Sequence, residues 1–387
     1  MFKKVLAAIL ASAMVFSLVA CDSGGGGGGE TTSSDTIKIG AWEPLTGAMA
    51  SGGSQIKDGY EMAKSIRPTV LGKTVELVYA DNKSDKVEAA NSMTRLIEKD
   101  KVVAVLGCYS SGLTVAGAAI TEKAKIPLLP LATSPLVTDG NKYITRTNYQ
   151  DPVAGTVMAQ YAVDVLGSKK VGMIRDITSD YSIGLANYFK EAYIAATGDP
   201  NSVVITDFSA GDSDFSAQLN AFKTANVDCI FIPTTYNDAA MISIQARESG
   251  INVPLMGGDS CEAPELIEIG GSAVEGFLFC SHFAAGGEHS EKTQEFLDLY
   301  DKTYPGRDVS SNTVIGFENY NLLLDAIEAV GSTDADKIND WLHNVKDWEG
   351  ITGFITINPE TGNPIKPVPI NKVENGKSVY VDTVTPK

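Results

Sequence analysis

Short apolar runs rich in β-branched residues recur along the chain at 37–42, 75–80, 102–106, 126–129, 170–174, 203–208, 229–232, 253–256 and 276–280. Between them lie helical patterns; Val87, Ala90, Met93 and Ile97, for example, keep one apolar stripe at a three-to-four-residue spacing. Alternation of this kind predicts parallel sheets covered by helices on both faces. The series breaks near 148–152, after four strand–helix units and a short extended segment at 143–146. A second series opens there with a helix predicted over 153–166. The expected fold is therefore α/β, with two doubly wound parallel-sheet lobes joined by a hinge. The last segment departs from alternation, because 351–357, 367–373 and 378–383 read as strands separated by turn residues at 358–364 and 374–376. Such strands fit sheet edges that run back across the lobes.

The amino terminus adds an address. Lys3 and Lys4 precede an apolar run over 5–19, a charged start and short greasy segment that read as a secretory signal over 1–20, too short to span a bilayer. Leu18-Val19-Ala20-Cys21 resembles a bacterial lipobox, in which the Cys21 thiol is diacylated, the chain is cut before it and the new amine is acylated. An ordinary cleaved signal with a chance Cys is the bland alternative. Each buried lipid CH2 contributes about 0.8 kcal/mol, so several chains on Cys21 hold a protein firmly at a membrane. Residues 21–35, with six consecutive glycines, form a flexible linker with a reach on the order of 20 Å. The remaining body of about 350 residues exceeds what one hydrophobic core usually serves, which again favours two lobes.

Charge and cysteines narrow the partners. The formal net charge of −17 repels nucleic acid and anionic lipid headgroups. An exported location permits disulfides among Cys108, Cys229, Cys261 and Cys280, but three pairings are open and none is assigned. Cys229, inside an apolar run, reads as free and buried.

Enzyme motifs fail on inspection. Gly72-Lys73-Thr74 and Gly376-Lys377-Ser378 mimic the end of a phosphate loop, yet Arg67 and Asn371 stand where its first Gly is needed. There is no Gly-x-Ser-x-Gly elbow, and His282, His289 and His343 form no metal-ligand pattern, so each reads as a surface or packing residue. The oxygen-rich stretch 81–85 lacks the Gly and distal Glu of a calcium loop and reads as a turn in which Ser84 or Asp85 caps the next helix. Residues 211–214 read as another cap. No cofactor and no metal is expected.

Doubly wound sheets bind ligands beyond the carboxyl ends of their strands. Cys108-Tyr109-Ser110-Ser111-Gly112 follows one such strand and opens a helix; Leu131-Ala132-Thr133-Ser134 follows another. Adjacent hydroxyls and free helix-start N–H groups suit a carboxylate, although Ser111 and Thr133 serving only as helix caps explains the same pattern. In the second series the strand ends are 178–181, 234–236 and 257–260. There Asp259 can meet an ammonium group, and Tyr181 and Tyr236 can wall a pocket. An anion end facing a cation end matches a zwitterionic amino acid.

At this level the chain resembles the leucine/isoleucine/valine-binding proteins, solute receptors of amino-acid ABC importers with the type I periplasmic-binding fold. The likeness runs through Ile39-Gly40-Ala41-Trp42-Glu43-Pro44-Leu45-Thr46-Gly47, Val105 to Ser111, Pro130-Leu131-Ala132-Thr133-Ser134-Pro135, the Asp151-Pro152 step, Asp180-Tyr181-Ser182, Gly211 to Phe215, and the closing Gly-Asn-Pro-x-Lys-Pro-Val around Asn363. The resemblance implies that Ser111 and Thr133, with Ser110 and Ala132 beside them, hold a ligand carboxylate. It implies that the Leu131 carbonyl and Asp259 take the ammonium, that Tyr181 and Tyr236 close over the ligand, and that loop 50–53 flanks its side chain. Three positions depart from the relatives. Asp259 replaces a Glu, Leu131 a smaller residue and Gly52 an aromatic; Trp42 or Tyr109 would fill the space at Gly52, with core packing the expectation for Trp42.

The expected organisation is 36–150 plus about 282–362 in lobe I and 151–281 plus about 363–387 in lobe II. The expected function is a non-catalytic, monomeric, lipid-anchored receptor on the outer face of the cell membrane, handing a small amino acid to a membrane permease. The alternatives are a ligand sensor without transport, a receptor for another small carboxylate, and a surface hydrolase.

Overall fold

A computed structural model describes residues 35–283 and 285–385. The signal, Cys21 and the linker through Ser34 lie outside the described residues. Two sheets organise the rest. The first is built from β1 (Thr36–Glu43), β2 (Thr69–Val70), β3 (Lys73–Asp81), β4 (Ala104–Leu106) and β5 (Leu128–Leu129), in the order β2-β3-β1-β4-β5. Helices α1 (Ala50–Ile66), α2 (Lys86–Arg95) and α3 (Ser111–Ala124) connect its parallel strands. Period-two alternation decides which core each side chain enters: Ile39 and Ala41 pack toward α1, while Trp42 packs toward α2 and α3 on the opposite face. Burial on both faces is why the run reads as continuously apolar.

The chain then crosses over through 144–150 and enters α4 (Asp151–Asp164). The second sheet follows, with β6 (Val171–Asp176), α5 (Asp180–Thr197), β7 (Val203–Phe208), α6 (Ser216–Ala225), β8 (Cys229–Ile232), α7 (Tyr236–Glu248), β9 (Leu255–Gly257), α8 (Pro264–Gly270) and β10 (Leu278–Cys280). A second crossover leads to α9 (Glu291–Thr303), α10 (Ser311–Val330) and α11 (Ala335–His343), whose apolar faces join the core of the first sheet. In α10, Gly316 and Gly59 of α1 bring two helix backbones together; a Cβ on Gly59 would sit 2.6 Å from the Phe317 amide nitrogen. The strands β11 (Trp348–Gly350), β12 (Gly353–Ile355), β13 (Ile357–Asn358) and β14 (Asn363–Pro364) form two small antiparallel ladders. A third crossover returns to β15 (Val368–Glu374) and β16 (Lys377–Val384), giving the second sheet the order β16-β15-β10-β9-β8-β6-β7.

Three of the sequence expectations change on folding. Segment 143–146 makes only a single parallel bridge, Ile144 to Leu128, because its neighbours turn away into the crossover. The stretch 351–357 pairs locally instead of joining a sheet edge, whereas 368–384 does form that edge. Before α6, the cap position is Phe215, and Asp214 accepts the Ser216 amide at 2.9 Å. Asp85 caps α2 as anticipated, accepting from Val87 N and Glu88 N. Cys108, Cys229, Cys261 and Cys280 are all free and buried.

The three crossovers run side by side. Arg146 N donates to Gly362 O at 2.9 Å, and Ser281 N to Pro369 O at 2.8 Å. Lys366, buried in the third crossover, donates to Thr147 O of the first at 3.0 Å and faces the buried Glu318 of α10 at 3.7 Å. Burial lowers the Lys366 pKa and the Glu318 carboxylate opposes that shift. These contacts fix the strip of chain on which the two sheets meet.

Candidate functional site

In each sheet the strand order reverses at one place, between β1 and β4 in the first and between β6 and β8 in the second. Loops leaving such a switch point diverge and open a crevice. The two crevices face one another here and enclose a cavity of about 30 Å³. Met49, Tyr109, Ser110, Ser111 and Thr133 line it from the first sheet. From the second sheet come Ser179, Tyr181, Thr235, Asp259 and Ser260. Larger cavities at the hinge and beside Glu262 gather no loops from the switch points of both sheets.

The first-sheet side presents an anion end. Ser110 stands at the N-cap of α3 in extended conformation with no side-chain cap, so the first amides of α3 keep no side-chain partner there. Ser111 is the first helical residue, and its Oγ accepts from Ser134 N at 3.1 Å, which leaves its own proton to donate. Thr133 heads no helix; Ser134 caps the short turn that follows it. Neither residue is a helix cap, so that explanation of the two hydroxyls falls away. Ala132 N is used by Cys108 O at 3.2 Å. The Leu131 carbonyl accepts from Asn148 Nδ2 at 2.7 Å and retains a second lone pair.

The second-sheet side presents a cation end. Asp259 begins a short turn after β9 and is buried. Its Oδ1 accepts from the Tyr181 hydroxyl at 2.9 Å, and its Oδ2 lies 3.4 Å from Nε2 of His282. A second acid, Asp151 at the start of α4, is fully buried nearby. Burial pushes its carboxyl up to about 8, the Asp259 charge adds to the shift, and Thr133 and Arg146 oppose it. The folded protein thus keeps a proton on Asp151 that the unfolded chain releases near the ordinary value of 3.8. Stability contributed through this group is intact at low pH and is lost progressively as pH rises from about 4 to about 8. Asp238, Glu43 and Glu262, all raised by burial, act in the same direction. Asp151→Asn removes one such term. The decline in unfolding free energy between pH 5 and 8 should become shallower in the variant, by at most about 1.4 kcal/mol per pH unit, as read by denaturant titration at several pH values.

Around the cavity, polar contacts join the two sides. Tyr236, which does not line the cavity, donates its hydroxyl to Ala48 O at 3.3 Å. Ser51 Oγ donates to Glu265 at 2.8 Å, Lys86 pairs with Asp180 at 2.8 Å, and Glu262 accepts from both the amide and hydroxyl of Ser311, each at 2.7 Å. Gly52 lies in the first turn of α1 directly against the Tyr109 ring; a Cβ there would approach Tyr109 Cζ to 2.6 Å. Tyr109 therefore occupies the space at Gly52, whereas Trp42 is a core residue whose Nε1 donates to Ser92 at 2.8 Å.

The folded chain thus gathers Tyr109, Ser110, Ser111, Thr133, Tyr181 and Asp259 on one cavity. Gly52, Leu131, Ala132 and Tyr236 stand one layer out. Met49 and His282 were not foreseen: Met49 precedes a helix with no polar signal, and His282 meets Asp259 only through strand adjacency.

This architecture, two facing α/β sheets with a polar cleft at their switch points, defines a two-lobed solute-binding protein. The chain belongs to the periplasmic binding protein family, whose description matches residues 36–378. The family is one of exported solute-binding proteins rather than enzymes. Among solved structures it is similar to the leucine binding protein LivK of Thermotoga maritima, at 38% identity and a TM-score of 0.87 over 90% of this chain and 99% of that one. It is also similar to the branched-chain amino acid transporter substrate binding protein LivJ of Streptococcus pneumoniae, in complex with isoleucine, at 32% identity and 0.84 over 91% and 100%. A solute binding protein of an R. palustris ABC transporter, in complex with 4-hydroxybenzoate, is 26% identical with a TM-score of 0.80 over 91% and 97%.

Proposed function

We propose that this protein is the receptor of an ABC importer, capturing an α-amino acid between its lobes and presenting it to the permease. The observation that carries this reading is the pairing, on one cavity, of an uncapped helix start and the hydroxyls of Ser110, Ser111 and Thr133 with the buried carboxylate of Asp259. The ligand carboxylate is taken by Ser111, Thr133 and the amides at the start of α3. The ammonium is taken by Asp259 and the Leu131 carbonyl. A cavity of about 30 Å³ has room for about one or two waters and not for an amino acid, so binding requires the lobes to part at the crossovers. The contacts of Tyr236, Ser51, Lys86 and Glu262 then re-form over the ligand. LivK is a leucine binding protein by name and LivJ is in complex with isoleucine, which supports the amino-acid class. A diacylated Cys21 and the glycine linker keep the receptor at the outer face of the membrane, near its permease; the lipid mass on the mature amino terminus tests that step.

A thermal-shift screen of the purified mature protein over the twenty L-amino acids, with their amine-free analogues, checks the reading. A ligand present at about 100 Kd should stabilise the fold by about 2.7 kcal/mol. No stabilisation by any amino acid overturns it. Stabilisation by amine-free acids alone favours the class of ligand in the 4-hydroxybenzoate complex.

A further inference from the structure

We propose that His282 is the positioning residue of the cation end: placed behind Asp259, it fixes the carboxylate that receives the ligand's ammonium. This role rests on the amino-acid reading above.

Strand register puts the two residues together. Phe279 of β10 pairs with Gly257 of β9 in parallel, so the chains leave the sheet side by side and deliver Asp259 and His282 to the same edge of the crevice. The neighbouring β15 holds the exit of β10 in place, with Ser281 N donating to Pro369 O at 2.8 Å. His282 belongs to the hinge-side cavity and not to the cleft cavity, so it reaches a ligand only through Asp259.

Its surroundings are those of a built contact. The His282 side chain is 1% exposed, and its Nε2 lies 3.4 Å from Asp259 Oδ2. The Tyr149 ring, from the first crossover, packs on the imidazole at a centroid distance of 4.2 Å and sets its plane. Neither ring nitrogen has a formed hydrogen bond, which is costly for a buried polar group and calls for a specific use. With the Tyr181 hydroxyl on Oδ1 and His282 Nε2 3.4 Å from Oδ2, each oxygen of a short carboxylate has a neighbour, keeps lone pairs for a further donor, and belongs to a side chain that lines the cleft. Asp has few rotamers, but a carboxylate free to rotate would still meet the ammonium in several geometries, and binding sites lose affinity at displacements of about 0.5 Å.

The test separates the ammonium contact from general damage. L-leucine and 4-methylpentanoate share a carbon skeleton and a carboxylate, and only the first carries an amine. Calorimetric titration of the mature protein with both probes should show His282→Phe, which keeps a ring against Tyr149, weakening L-leucine by about tenfold while 4-methylpentanoate changes less than about twofold. His282→Gln restores a donor and should return L-leucine to within about threefold of the unsubstituted protein. If His282→Phe does not fold, His282→Met is compared with His282→Gln in the same way. Equal weakening of both probes, or L-leucine unchanged, overturns the positioning role and leaves the amino-acid reading standing. An unsubstituted protein that binds no α-amino acid at all overturns both.

Discussion

Asp259→Ala should lower the affinity for an α-amino acid by about two orders of magnitude, yet leave its amine-free analogue within about threefold. The asymmetry follows from where the carboxylate sits. Asp259 is buried at the second-sheet wall, accepts from the Tyr181 hydroxyl and lies 3.4 Å from His282 Nε2, so an ammonium entering the cleft meets a desolvated partner. A hydrogen bond to a charged group contributes about 1.5 to 3 kcal/mol, and stranding a buried ammonium adds a penalty of its own. An acid without an amine makes no such contact and keeps the anion end intact. Ser111→Ala gives the internal contrast, since it should weaken both ligands alike through the shared carboxylate. Titration calorimetry with L-leucine and 4-methylpentanoate reads both variants. Matching losses for the two ligands in Asp259→Ala would remove Asp259 from the ammonium site.

How much of this was legible beforehand depends on the distance over which each contact is made. Strands β7 and β8 fall on their expected bounds because local apolar pattern and turn residues agree there. Strands β4 and β5 are shorter than their apolar runs, because Val102 N and Ile126 N donate back to Leu96 O and Thr121 O of the preceding helical segments instead of to a neighbouring strand. The strand-end rule located Ser111, Thr133, Tyr181 and Asp259 from sequence, and the fold brings all four to one cavity. Helix geometry removes the cap reading for both hydroxyls: Ser111 is inside α3, and the cap of the short turn after Thr133 is Ser134. His282 reads as a surface or packing residue because the three histidines form no metal-ligand pattern; its neighbour Asp259 lies 23 positions away, just past the end of the adjacent strand. The Asp151-Pro152 step is visible in the chain, but the raised Asp151 carboxyl is a product of burial among residues distant in sequence, Thr133 and Asp259 included.

The second large effect concerns the pair Gly52 and Tyr109. The Tyr109 ring is buried and lies where a side chain at residue 52 would be, with only 2.6 Å from its Cζ to a Cβ built on Gly52. Such an approach is far inside van der Waals contact, so Gly52→Leu forces the ring off its position and should destabilise the fold by about 1 to 3 kcal/mol. Tyr109→Ala leaves a hole instead and should cost about 3 kcal/mol or more. The double variant puts the leucine into the volume the phenol vacates. Its loss should therefore be smaller than the sum of the single losses by about 1 to 3 kcal/mol, a coupling that equilibrium unfolding of the four proteins measures. Additive losses would mean that the two positions do not share that volume. The same substitution bears on ligand choice, because Tyr109 also lines the cleft. With the ring gone, Tyr109→Ala should gain affinity for amino acids with larger side chains relative to alanine, and the Gly52→Leu partner should reverse part of that gain by refilling the space from α1.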